Sequence, residues 1–330
     1  MKKIKYVLAL FIAAVMIFAV GCSAKIELHD VSEYRKILDY KDGFKVMMLT
    51  DIHISRLSNV EELSKYLAHN INEAQPDLIV LNGDNFFDAS RASVDYLFNF
   101  IDSFKISWVY LQGNHDHQGT FEPTYPDEVA SRMKYSLNVD YPNDGIDGTQ
   151  NFYVDLMDGN DLVYRLFMID GGSYSRLNPV KYTYEQIRES QLAHIEKIQA
   201  QEEDDSYTSL AFFHIPLQEY EDAYKGYIEG KYEGKGENRE GNYPSAFSSN
   251  QYERLKAAGI RGVFCGHDHI NNSIVDYNGF ICGYGVKATR EIYHDDDILG
   301  YLLITLTDEA FSIDNCTSVY VDYDSVVEGK

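Results

Sequence analysis

The chain has 330 residues, with 29 Lys and Arg against 52 Asp and Glu, a formal net charge of −23. So large an acid excess gives no long-range attraction for a phosphate backbone and excludes general nucleic-acid binding. A hydrophobic fraction of 45% excludes a disordered chain, and the length carries ample core for one large domain or two ordinary ones.

Residues 1–22 read as a targeting segment. Lys2, Lys3 and Lys5 precede an uninterrupted apolar run of 15 residues, Tyr6 to Val20. That run is at the top of the signal-peptide range and short for a membrane span of about 20 residues. It ends at Gly21-Cys22, which resembles the bacterial lipoprotein signal, with Cys22 as the lipidated first residue. An uncleaved anchor and ordinary secretion are the alternatives, and all three place the rest of the chain outside the cytoplasm. Removal of residues 1–21 takes away three lysines and no acid, so the charge moves from −23 to −26. Of the other cysteines, Cys265, Cys282 and Cys316 make neither an even disulfide framework nor zinc-site spacing and are expected as small buried hydrophobes.

Residues 23–43 read as a polar lead-in, and residues 44–330 as a single domain. Phe44–Leu49 suits a buried strand. Asn59–Gln75 has helical spacing and stops before Pro76. Leu78–Leu81 is a second strand, Ser93–Phe104 a second helix and Trp108–Leu111 a third strand. This alternation implies parallel strand–helix–strand units. Asn151–Leu156 and Leu162–Ile169 read as a hairpin pair, Thr183–Gln199 as a helix and Ser209–Phe213 as a buried strand. Tyr220–Ser245 has no apolar period and reads as a long surface loop. Phe247–Ala258 is a helix, followed by strands at Gly262–Cys265, Ser273–Tyr277, Phe280–Cys282, Tyr301–Thr307 and Phe311–Val321.

Five of the buried strands run directly into metal-type ligands. They are followed by Asp51-Ile52-His53, Gly83-Asp84, Gly113-Asn114-His115-Asp116, His214 and Gly266-His267-Asp268-His269. Asp84 lies 31 residues after His53 and Asn114 lies 30 after Asp84, about one strand–helix–strand unit each. All three points therefore arrive at one sheet edge, where open α/β sheets place their sites. The set offers carboxylate, amide oxygen and imidazole but no thiolate, which selects Zn, Fe, Mn or similar ions. Seven ligands exceed one tetrahedral ion and suit two ions sharing a carboxylate. Such a pair clamps a phosphoryl group. Any one of these histidines alone would be unremarkable; five strand ends in order are not.

Taken together, Asp51-x-His53, Gly83-Asp84, Gly113-Asn114-His115-Asp116, His214 and Gly266-His267-x-His269 resemble the calcineurin-like metallophosphoesterase superfamily, over roughly Phe44 to Thr307. Ala211–Tyr220, Val263–Asn271 and Gly283-Tyr284-Gly285 are similar to its purple-acid-phosphatase-like, protein-phosphatase-type branch. Phe87 stands where true purple acid phosphatases carry a Tyr, so the iron–tyrosinate colour is not expected. The resemblance implies a four-layer αββα sandwich, with two central mixed β-sheets flanked by helices. It implies two divalent or trivalent ions (Mn, Fe, Zn or Ni), one held by Asp51, His53 and His269 and the other by Asn114, His214 and His267, with Asp84 bridging. It implies in-line attack on phosphorus by a bridging hydroxide. His115 would bind a phosphate oxygen or protonate the leaving group, and Asp116 would orient His115. The expected partner is a phosphoester, either a small molecule or a phosphoprotein, and phosphomonoester hydrolysis is the leading expectation. A phosphodiesterase for cyclic nucleotides or phospholipid headgroups, or a non-catalytic metal-binding lipoprotein, is the alternative. Asn85 and Asp88 suit either ligand support or a turn. Lys287 and Arg290 suit either a substrate contact or a solvated turn. His69 and His194 read as surface.

Overall fold

The structure, a computed structural model, describes residues 31–139, 145–202, 206–247 and 250–329. The targeting segment at residues 1–22 lies outside the described residues. In chain order the first strands are β1 (Arg35–Asp39), β2 (Phe44–Leu49), β3 (Leu78–Asn82), β4 (Ser107–Leu111), β5 (Asn151–Asp158), β6 (Asp161–Ile169), β7 (Tyr174–Asn178) and β8 (Lys181–Tyr184). They are followed by β9 (Thr208–Phe212), β10 (Gly234–Lys235), β11 (Ile260–Cys265), β12 (Ile274–Tyr277), β13 (Phe280–Tyr284), β14 (Gly300–Leu306) and β15 (Cys316–Tyr320). The α-helices are α1 (Val60–Ala74), α2 (Arg91–Asp102), α3 (Tyr125–Ala130), α4 (Glu189–Gln199), α5 (Glu219–Ile228), α6 (Gln251–Ala257) and α7 (Tyr323–Glu328).

Two mixed sheets form the centre. The smaller runs β15-β14-β2-β3-β4, and the larger runs β1-β5-β6-β9-β11-β13-β12-β10. Strands β2, β3 and β4 pair in parallel, as the intervening helices require, and β14 closes the other side of β2 antiparallel. Successive side chains of β2 go to opposite faces. Val46 and Met48 enter the core shared with Val154, Leu166 and Leu210 of the larger sheet, whereas Met47 and Leu49 pack with Leu67 of α1 and Val94 of α2. Both faces are buried, which is why the strand reads as a continuous apolar run. On the far side of the larger sheet, Leu192, Ile195 and Ile198 of α4 join the same central cluster. The layers are helix, sheet, sheet and helix, as the resemblance implied.

Several expectations change. The polar lead-in carries β1, an edge strand paired in parallel with β5. The segment 220–245, expected as loop, begins with α5 and contains β10. The helix expected from Thr183 starts at Glu189, because residues 181–184 form β8 and pair with β7 in a separate hairpin. His194 is buried and packs edge-on against Tyr34 at 4.7 Å, not on the surface. Burial lowers its pKa to about 4, so it is a neutral part of the packing. Cys265, Cys282 and Cys316 are free and buried, as expected. No helix among the described residues is long and apolar enough to cross a membrane.

Candidate metal centre

The C-terminal ends of β2, β3 and β4 in one sheet face those of β9 and β11 in the other. Asn82, the last residue of β3, joins them: its amide donates to the carbonyls of Phe213 and Phe264, at 3.1 and 3.2 Å. Beyond β2 and β3 the two loops stay hydrogen-bonded, from Asp51 N to Gly83 O and from His53 N to Asp84 O. The sequence after each strand therefore turns into one shared space.

Those turns are tight. Asp51, His53, Asp84 and His267 have φ values of 55°, 54°, 49° and 78°, in the left-handed region that side-chain-bearing residues rarely occupy. Such strain persists where surrounding contacts fix it, and it clusters at functional sites. Glycines make room for the turns. A Cβ on Gly83 would lie 2.5 Å from the His214 ring. One on Gly113 would meet the Asp84 backbone and carboxylate and come within 2.6 Å of His214 Cδ2.

Each carboxylate uses one oxygen for the protein and turns the other toward imidazoles. Asp51 Oδ2 accepts from Thr50 Oγ1 and from the His267 amide. Its Oδ1 has no hydrogen-bond partner and lies 3.4 Å from His269 Nε2 and 3.7 Å from His53 Nε2. Asp84 Oδ1 accepts from the His115 amide at 2.8 Å. Its Oδ2 has no hydrogen-bond partner and lies 3.2 Å from His214 Nε2 and 3.8 Å from His53 Nε2. The histidines are held by their other nitrogens: His214 Nδ1 on the Asn82 carbonyl and His269 Nδ1 on the Tyr293 carbonyl, both at 2.9 Å. That makes each Nδ1 the donor and turns each Nε2, the atom left for a cation or a proton, toward the carboxylates.

Imidazole nitrogens and carboxylate oxygens facing one another in a buried space call for a cation, a proton or a metal ion. Asp51, His53, Asp84 and His269 form one group whose ligand atoms lie within 4.8 Å of one another, and Asp84, His214 and His267 form another, so Asp84 belongs to both. Buried unpartnered atoms remain on Asn114 (Oδ1), His214 (Nε2) and His267 (Nδ1) as well. Asn114 donates its amide to the Tyr174 hydroxyl at 2.9 Å, which leaves Oδ1 free. These residues fit a pair of metal ions.

The electrostatics agree. Burial lowers His53 and His267 to about 3, which keeps them neutral. Burial would also lower His214, but Asp84 and Asp51 outweigh it and lift His214 to about 10. In the metal-free protein a proton therefore stands where a cation would.

Other residues fall in different places from those expected. Asp116 does not touch His115. It accepts from the amides of Gly113 at 2.7 Å and Phe86 at 2.8 Å, and so ties the β4 turn to the β3 turn. His115 is instead bonded through Nδ1 to Gln118 Oε1 at 2.8 Å, with Nε2 3.5 Å from the Tyr174 hydroxyl. Asn85 is buried and donates to the Leu111 carbonyl, a support role. Lys287 is no solvated turn: it is buried and donates to the Asp51 carbonyl at 2.8 Å, and burial lowers its pKa to about 8. Arg290 pairs with Asp296 and Asp324 on the surface. Sequence reasoning missed Gln118, Tyr174, Tyr184 and Tyr293; the signal for the first is its place three residues after His115 in a turn.

A cavity of about 380 Å³ opens over the cluster and includes Asp84, Phe87, His115, Tyr184, His267 and His269 in its wall. A larger one, about 910 Å³, lies at the β1 edge among Arg35, Asp39, Asn160 and Tyr207, away from both ligand groups.

A family model for calcineurin-like phosphoesterases matches residues 44–271, and the chain belongs to that family. Among its relatives is an Arabidopsis thaliana protein named probable inactive purple acid phosphatase 29, 25% identical over 316 residues, 83% of this chain and 79% of that one. The phosphatase DCR2 of Saccharomyces cerevisiae is 29% identical over 263 residues, 69% of this chain and 44% of its own length. In fold the chain is similar to a dimetal phosphatase from Danio rerio, with a TM-score of 0.53 at 12% identity over 81% of this chain and 94% of that one.

Proposed function

We propose that the protein is a phosphoester hydrolase that works with two metal ions and acts on phosphomonoesters. The observation that carries this reading is the membership of Asp84 in both ligand groups, with unpartnered buried atoms around it. In this reading Asp51, His53 and His269 hold one ion, Asn114, His214 and His267 the other, and Asp84 both. The donor set, without thiolate, suits Mn, Fe, Zn or Ni. Two such ions, when bound, polarise phosphoryl oxygens and bring the pKa of water near 7.

The chain's own residues do the rest. His115 is half-buried at the cavity wall, with Nδ1 engaged by Gln118, so its Nε2 is the atom available to a phosphate oxygen or to the leaving-group oxygen. The Tyr174 hydroxyl holds the Asn114 amide beside that nitrogen. The plant relative is named inactive; this chain carries both His115 and the complete ligand set.

The test supplies the purified protein with Mn, Fe, Zn or Ni and compares p-nitrophenyl phosphate with bis-p-nitrophenyl phosphate. Faster turnover of the monoester is expected; faster turnover of the diester makes the protein a phosphodiesterase, and no turnover of either overturns the enzyme reading. His115→Ala should lower kcat by roughly 10²–10⁴-fold with metal content unchanged. Loss of metal instead would remove its assigned role.

We also propose an extracytoplasmic location, with residues 1–21 as a cleaved targeting segment and the lipid on Cys22 as the membrane attachment. Its support is the basic start, the apolar run and the Gly21-Cys22 end. Labelled fatty acid should enter the wild-type chain and not Cys22→Ala; equal labelling would contradict it.

A further inference from the structure

The wall of the cavity is built from rings in mutual contact. Tyr293 stacks on His269, with centroids 4.0 Å apart and planes at 15°. Phe87 lies edge-on to His115 at 5.1 Å and to His53 at 6.1 Å. On the other side Tyr174 reaches His115 at 6.1 Å and Tyr184 at 5.4 Å, and Tyr184 meets His267 at 4.2 Å. Tyr243 adds a further ring to the wall. The collar thus comes from the turn after β3, the β7–β8 hairpin, the segment before α6 and the segment after β13.

Among the described residues the same wall has no lysine or arginine; beyond Asp84 its charged groups are Glu240 and Asp268. Several basic residues of the neighbouring segments are already engaged, and the exposed Arg176 and Lys181 of the β7–β8 hairpin are not among the lining residues. Lys287 is buried against the Asp51 carbonyl, Arg239 pairs with Glu237 and Asp295, and Arg56 pairs with Asp88. A substrate with a second phosphate or a carboxylate on its leaving group would meet tyrosines and acids, with no cation to receive it. A flat neutral ring would meet faces and edges in the offset and T-shaped geometries that aromatic pairs prefer.

We propose that the natural substrate is a phosphomonoester with an uncharged aromatic leaving group, an aryl phosphate, whose ring lies within the collar formed by Phe87, Tyr184, Tyr243 and Tyr293. This rests on the phosphoesterase reading above. The reaction is hydrolysis: water adds to phosphorus, the P–O(aryl) bond breaks, and the phenolic oxygen leaves with a proton. Nothing beyond water is consumed.

The test uses phosphonates, which bind as phosphate esters do but cannot be hydrolysed, so leaving-group reactivity does not enter. Inhibition constants and calorimetric affinities for the metal-loaded protein are compared for methyl-, cyclohexyl-, phenyl- and 4-carboxyphenylphosphonate. Phenylphosphonate should bind roughly 10–100-fold tighter than methylphosphonate and tighter than the cyclohexyl compound, and the added carboxylate should reverse most of that gain. Tyr243→Leu and Phe87→Leu should each shrink the phenyl-to-methyl ratio, with methylphosphonate affinity and metal content held. Equal affinities for phenyl- and methylphosphonate would overturn the proposal while p-nitrophenyl phosphate hydrolysis left the phosphoesterase reading standing. Cyclohexyl binding as tight as phenyl would reduce the collar to a merely apolar wall and also overturn it. Failure of every phosphonate to bind, with no ester hydrolysed, would overturn both readings.

Discussion

Gln118, and not Asp116, faces His115, and this changes what each substitution should do. Gln118→Ala frees the imidazole to rotate and change tautomer. It should lower kcat roughly tenfold, with a shifted pH profile and unchanged metal content; an unchanged kcat would show that His115 needs no orienting partner. Asp116→Ala removes the acceptor of two buried amides, Gly113 and Phe86, each worth about 1–3 kcal/mol when left unsatisfied. Its first effect should be a lower urea midpoint, and a variant of full stability that had lost only kcat would restore the orienting role to Asp116. His214 carries a pH prediction. Its pKa is lifted to about 10 in the metal-free protein, above its ordinary 6.5. The ion pair with Asp84 and Asp51 therefore stabilises that form fully below about 6.5 and is lost as the pH rises through about 10. A metal must displace that proton, so apparent metal affinity should rise by about tenfold per unit between pH 7 and 9. A flat profile would mean that His214 holds no such proton in the metal-free protein. At this scale the proposed ligand residues were legible because each follows an apolar run within a few positions. Lys287 was not, since a lysine after a strand looks solvated until Thr50 and Lys287 are seen bridged side by side.

Asp155 of β5 receives Arg35 from β1 and Arg165 from β6, so one buried carboxylate ties together three neighbouring strands. Arg165 is itself buried, packs over the Tyr153 ring at 4.8 Å and reaches Glu202. Breaking such a pair from one side leaves a buried charge, so Arg165→Met should cost about 3–5 kcal/mol in urea unfolding, with an unchanged slope. A loss below about 1 kcal/mol would show that Arg35 alone suffices for Asp155. The strands and helices that hold the proposed ligands were legible because their apolar residues are aliphatic and periodic. The missed elements lack that mark. In α5 the buried positions are Tyr220, Ala223 and Gly226, amid Glu219, Glu221, Asp222 and Lys225, a pattern that tyrosine and small residues conceal. The hairpin of β7 and β8 has mostly exposed residues, and only Tyr174 and Tyr184 at its base turn toward the site. Strand β1 is the edge strand among the described residues, and its side chains are half-buried or exposed, which suits a polar sequence.

Across the whole molecule the charge of −23 sets a field that opposes an anionic substrate. The proposed centre reverses that sign locally, since two divalent ions outweigh the charges of Asp51 and Asp84. Apart from buried acids such as Asp116 and Asp155, most of the remaining acids are solvated surface, so their effect should be long-range and screenable. For a dianionic monoester kcat/KM should increase as ionic strength is raised from about 0.02 to about 0.2 M, where the screening length falls to about 10 Å and below. A decrease would mean that a cationic funnel guides the substrate. All of these readings depend on the paired centre shared by Asp84. The most direct test is the metal content of the purified wild-type protein and of Asp84→Ala, measured by elemental analysis against protein concentration. Two ions per chain in the wild type and fewer than one in Asp84→Ala is the result this account predicts. A single ion in the wild type, or two ions kept without Asp84, would contradict it.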